Sequence, residues 1–210
     1  MTLEKSINQG TVLVLGTIFI GLCYQLIPVF FIMNPTLEVV STIFNAFLGG
    51  ILAYVVLRRE FIDWFKHFSL KWVILGSVLM IITGVVLGNL YTFLVNDSIE
   101  QNTVTSVLSW NYFITHVPFL LMGEELISIP LLYGIWKKWG WKFWQASLLS
   151  ALLFSVWHLA AYNFNFLQIL ILITPSRLIL NYLFKKTNSI LVAWMAHILF
   201  DLFAFLPYLL

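Results

Sequence analysis

Seven long apolar segments separated by short polar connectors dominate this chain: 11–33, 36–57, 72–95, 110–136, 143–161, 164–184 and 189–208. A helix needs about 20 predominantly apolar residues to cross the hydrocarbon core of a bilayer, so each segment predicts one span. The expected fold is all-α, a polytopic transmembrane helical bundle of about seven spans, in a single integral-membrane domain over residues 1–210. No internal repeat, low-complexity tract or soluble domain interrupts the pattern. Met1–Gly10 leads into an apolar run too long for a signal-peptide core and lacking a small-residue cleavage site, so 11–33 reads as a retained first span.

Composition agrees. Of 210 residues, 61% are hydrophobic and 10% charged, and the mean hydropathy is +0.95. These values exclude a soluble globular domain. Nineteen Phe and nine Trp suit lipid-facing surfaces and interfacial belts, which makes membrane lipid the first partner. With a net charge of only +2, no nucleic-acid partner is expected. The single cysteine, Cys23, rules out an intramolecular disulfide and a cysteine-based zinc cluster.

The positive charges set an orientation. Lys5, Arg58, Arg59, Lys66, Lys71, Lys137, Lys138, Lys142, Lys185 and Lys186 all fall at one end of the predicted spans, ten of the eleven Lys and Arg. The alternate connectors, Asn34-Pro35, Asn96–Ser109 and Tyr162-Asn163, carry none. The positive-inside rule then predicts a multi-pass protein of the cell membrane, N-terminus cytoplasmic and C-terminus outside. Between the second and third spans, Arg58–His67 mixes charges with aromatics, as either an interfacial amphipathic helix or an ordinary charged loop would.

Against this apolar background a few ionisable residues stand out. Glu124 and Glu125 lie in mid-segment, where each costs about 2.5–3.5 kcal/mol to insert, and such groups usually mark function. Neighbouring carboxylates also resist ionising together. About 100° separates adjacent residues around a helix, so one carboxylate can face a cavity while the other bonds to a neighbouring helix. His158 lies in the fifth segment. His197 and Asp201 share one face of the seventh at i and i+4, a spacing at which the Asp can orient the imidazole. Arg177 is the one cation inside a span.

These residues form a recognisable set. Glu124-Glu125, then Phe154-x-x-x-His158, then His197-x-x-x-Asp201 resemble the motifs of the CPBP family of CAAX proteases and bacteriocin-processing enzymes, also called Abi. The flanks Trp139–Ala146 and Lys186–His197 are similar too, and the protease-like core covers about 110–208. One position departs: the family's first motif carries an Arg where this chain has Ile129, followed by Pro130. Arg177 is expected to snorkel towards the cytoplasmic interface, with supply of that charge from the sixth span as the less favoured alternative.

The resemblance implies a glutamate-dependent intramembrane peptidase with catalytic residues Glu124, Glu125, His158, His197 and Asp201. Glu124 would act as general base on a water with His158 sharing that work, and His197 and Asp201 would lie where the oxyanion develops. Asp donates a hydrogen bond only when protonated, so Asp201 is expected rather to orient His197. One Glu and two His also suit zinc with an open water position, but no cofactor is the favoured expectation. The implied substrate is a membrane-associated peptide or protein, with bacteriocin processing, leader-peptide processing and self-immunity as candidate roles. The alternatives are a catalytically silent binding, immunity or regulatory protein and, less favoured without inverted repeats, a proton-coupled carrier.

Overall fold

The computed structural model describes residues 3–30, 35–96 and 98–210. Among them all regular structure is helical. Helix α1 spans Leu3–Phe30 and α2 Pro35–Leu57; the short α3, Arg59–Asp63, leads to α4, Leu70–Val95. A loop with a 3-10 turn at Thr103–Ser106 precedes α5, Trp110–Thr115, and α6, Val117–Tyr133, which continues in π form over Gly134–Lys138. Helix α7 is Phe143–Trp157 and α8 the single turn Phe166–Gln168. After a π segment at Ile169–Ile173 come α9, Thr174–Thr187, and α10, Ile190–Leu209.

Six stretches among the described residues are long and apolar enough to cross a membrane: Leu3–Ile27, Val39–Leu57, Leu70–Val95, Val117–Lys138, Phe166–Thr187 and Ile190–Leu209. The polytopic all-α bundle is thus the fold, with one correction. The segment expected over 143–161 is helical only to Trp157, 15 residues, or about 22 Å of rise. Beyond it the chain turns through Ala160–Tyr162 and reverses with Asn163 and Phe164 at positive φ of 49° and 59°. A left-handed pair cannot continue an α-helix. The segment expected over 110–136 also breaks, at His116, two residues before Pro118, whose ring leaves no N–H for the preceding turn. Of the connector expected at Asn34-Pro35, Asn34 lies outside the described residues, as does Asp97 of the connector expected over Asn96–Ser109.

Helix α6 runs through the middle of the bundle, with most of its side chains buried. Its approach to α2 depends on two glycines. A Cβ on Gly123 would lie 2.9 Å from the Asn45 Cβ, and one on Gly49 would lie 2.6 Å from the Leu126 carbonyl oxygen. Pro130, at i+4 from Leu126, cannot donate to that carbonyl, which leaves it open for Gly49 to approach. Small residues permitting such backbone contact drive helix association where lipid removes the hydrophobic incentive.

The end bearing the basic residues is closed. Trp64, only 1% exposed, packs edge-on against Tyr133 and Phe184, and its carbonyl accepts from Ile190 N. Lys138 donates to Glu60 at 2.9 Å, and Ser6 Oγ donates to the Lys138 carbonyl. Arg58–His67 is therefore neither a free loop nor a wholly interfacial helix: its Trp is a plug.

Candidate active site

Glu124 and Glu125 project from α6 in different directions, and their surroundings differ completely. Glu125 is fully buried. Its Oε1 and Oε2 accept from Arg177 Nη1 and Nη2 at 2.7 and 2.8 Å, a bidentate pairing across α6 and α9. Arg177, equally buried, donates from Nε to Asn181 Oδ1 at 3.0 Å. Asn181 in turn donates to Ser147 Oγ and Ser150 Oγ on α7 at 3.1 and 3.0 Å. The guanidinium also lies over the Phe154 ring, 5.2 Å from its centroid. This network satisfies a buried charge from three helices, the condition under which burying one is tolerable.

His197 joins the same network. Its Nδ1 is 2.9 Å from Glu125 Oε1. That carboxylate already accepts from the guanidinium, so the ring N–H is the donor and the Nε2 side is left for other work. Asp201 Oδ1 is 3.9 Å from His197 Nε2, beyond a hydrogen bond. The expectation that Asp201 orients His197 is therefore corrected: Glu125 orients it, because Arg177 holds that carboxylate against Nδ1. His158 is fixed in the same sense. Its Nδ1 donates to the Phe154 carbonyl at 2.9 Å, four residues back, which turns its Nε2 inward.

Glu124 faces both imidazoles. Its Oε1 is 3.6 Å from His158 Nε2, and its Oε2 is 3.8 Å from His197 Nε2. Both separations exceed a direct hydrogen bond and suit a bridge through one water. The five residues marked in the sequence are thus brought together on α6, α10 and the residue that ends α7. Among the described residues, no group of three or more His, Cys, Asp or Glu is arranged to hold a metal ion.

Two cavities reach these groups. One of about 490 Å³ is lined by Glu124, His158 and Asp201 together with Asn45, Asn102 and Ser128. The other, about 330 Å³ and largely apolar, runs between α4, α9 and α10 to Glu124, His158, His197 and Asp201. A carboxylate between two imidazoles, at the meeting point of two cavities, can move a proton on and off a bound reactant.

Two supporting residues were not marked in the sequence: Asn181 and Phe154 as a cover for Arg177. Asn181 had a signal, since Arg177 and Asn181 are polar residues at i and i+4 on one face of an apolar segment. Ile129, where the resembled motif has Arg, is fully buried among apolar neighbours.

Residues 103–203 match the model of the Rce1-like family, described as type II CAAX prenyl endopeptidase Rce1-like. The matched region holds every residue of the site. No curated protein and no solved structure matches the chain.

Proposed function

We propose, from the match of residues 103–203 to the Rce1-like family model, described as type II CAAX prenyl endopeptidase, that this chain is an intramembrane endopeptidase that uses Glu124 as its base. The observation that carries the reading is the pair of imidazole Nε2 atoms flanking the Glu124 carboxylate at 3.6 and 3.8 Å. Glu124 takes a proton from a water as its oxygen adds to the scissile carbonyl carbon. Negative charge develops on the carbonyl oxygen, and His197 in its protonated form meets it from Nε2. The carbon–nitrogen bond then breaks, and the proton held by Glu124 passes, with His158 sharing the transfer, to the departing amine. The products are a carboxylate and an amine, and no metal takes part.

Glu125 and Arg177 do not touch the reacting atoms in this scheme. They hold His197 in position, and the Glu125 carboxylate at Nδ1 supports the doubly protonated ring that donates from Nε2. Arg177 supports the catalytic reading over the silent binder, because the charge missing at Ile129 is delivered to Glu125 from another helix. The substrate is a membrane-associated peptide or protein, with bacteriocins and leader peptides as candidates, and self-immunity is one role such cleavage serves. The N-terminus is cytoplasmic and the membrane is the cell membrane.

The test is Glu124→Gln, which keeps shape and hydrogen bonding but cannot act as a base. Its expected effect is loss of processing in cells with normal accumulation in the membrane. Full function of Glu124→Gln would instead support the silent binding or immunity protein.

A further inference from the structure

The two ends of the bundle differ in what they admit. At the basic end, Trp64 closes the space between Tyr133 and Phe184, and Lys138 is tied to Glu60. The larger cavity lies toward the opposite end. Its lining reaches the surface at the exposed Thr103 and Ser106 of the loop before α5, beside Gln25 near the end of α1, and we take this as its mouth. Gln25 donates to the Trp157 carbonyl at 2.6 Å, which joins α1 to the end of α7 at this mouth. Glu124 lies seven residues from the start of α6 at this end, about 10 Å of rise. From there to Lys138, along the same helix, is about 21 Å.

The cavity wall is built to meet a peptide backbone. Among the described residues, four buried side-chain polar atoms have no hydrogen-bond partner, and three of them line this cavity: Asn45 Oδ1, Glu124 Oε2 and Ser128 Oγ. Ser128 is fully buried and stands one turn from Glu124 on the same face of α6. Unpaired buried polar atoms are costly, and the alternating N–H and C=O groups of an extended chain would satisfy such a row. Among the described residues no Lys or Arg lines the cavity, and the carboxylates that line it are Glu124 and Asp201.

We infer that the catalytic cavity opens to the extracytoplasmic side, and that the substrate is a peptide segment presented there, not a chain end offered from the cytosol. The orientation follows from the ten Lys and Arg gathered at the closed end. The inference rests on the peptidase reading for what happens to the peptide but not for where it enters. Asn45 and Ser128 are then positioning residues for the substrate backbone. An exported peptide, or the outer part of a membrane-spanning segment, reaches Glu124 directly. A cytosolic chain end would have to pass the Trp64 plug.

Thiol accessibility decides the matter. In the full chain carrying Cys23→Ser, single cysteines are introduced by Ser106→Cys at the mouth, Ser128→Cys at the floor and Lys137→Cys at the opposite end. Leu120→Cys, also on the cavity wall, stands in if Ser128→Cys fails to accumulate. The probe is a sulfonated, membrane-impermeant methanethiosulfonate, applied to intact cells and to inverted vesicles. The expected result is modification of the mouth and floor positions from outside only, and of Lys137→Cys only in inverted vesicles. Modification of the floor position from the cytoplasmic side, or of neither floor variant from outside, overturns the inference. Comparing peptide termini between wild-type and Glu124→Gln cells tests the substrate class separately. Differences confined to exported or outer-face segments support it, and differences confined to cytosolic proteins overturn it. No difference at all would count against the peptidase reading while leaving the labelling result standing.

Discussion

Arg177 and Glu125, 52 residues apart in the chain, meet through two parallel hydrogen bonds of 2.7 and 2.8 Å with neither side chain exposed. The resembled family motif carries its Arg on the same helix as the glutamates; this chain carries Ile129 there and brings the charge from α9. The consequence is a positioning chain, Asn181 to Arg177 to Glu125 to His197, that ends at a ring facing Glu124.

Removing one partner of this pair leaves a buried charge without compensation, which costs on the order of 3–5 kcal/mol. Arg177→Met is therefore expected to lower the thermal unfolding midpoint of the detergent-solubilised protein sharply. Adding Glu125→Gln to Arg177→Met should recover much of that stability without restoring activity. Equal instability of the single and double variants would rule out the pair as the cause.

Activity should fail as a unit. Glu124→Ala and His158→Ala are each expected to abolish turnover, and the double variant to be no worse than either, because groups sharing one proton path are non-additive. Membrane accumulation should be unaffected, since removing an intramembrane charge favours insertion. His197→Ala should lose about 10²–10³-fold in kcat, the scale for one lost oxyanion donor. Measured rates that multiplied across the variants would separate Glu124 from His158.

Asp201 sits too far from His197 to orient it, so its carboxylate is dispensable for that purpose. Asp201→Asn, which supplies a permanent donor in nearly the same shape, is expected to keep turnover, whereas Asp201→Ala should lose it. An Asp201→Asn enzyme as inactive as Glu124→Gln would give the Asp201 charge a role of its own.

Chelation offers a further check. With proton transfer confined to Glu124 and His158, prolonged treatment with phenanthroline should leave peptidase activity intact. Activity lost to the chelator and restored by zinc would contradict the metal-free scheme.

The close approach of α2 and α6 predicts a stability effect outside the site. In Gly123→Val the new Cβ would lie 3.0 Å from the Ala46 backbone nitrogen, and backbone cannot step aside as a side chain can. Such overpacking typically costs about 1–3 kcal/mol. A lower unfolding midpoint is expected, and an unchanged one would mean that α2 moves freely against α6.

The sequence alone determined the material of this protein. Apolar runs of membrane-crossing length predict the helices, because the bilayer leaves no other partner for backbone N–H and C=O groups. The cost of charge in that setting singles out Glu124, Glu125, His158, His197, Asp201 and Arg177. Tertiary structure decided how they meet. At 1.5 Å per residue, the expected helices put Glu124, His158 and His197 about 18, 22 and 12 Å from one membrane face, a loose match. The folded chain brings the Nε2 atoms of His158 and His197 each within 4 Å of the Glu124 carboxylate, with α7 ending at Trp157 and the path into α6 kinked at His116. Helical periodicity is local and reports only which residues share a face. Which faces meet, and that Glu125 rather than Asp201 holds His197, depends on glycine contacts and side-chain volumes between helices far apart in the chain.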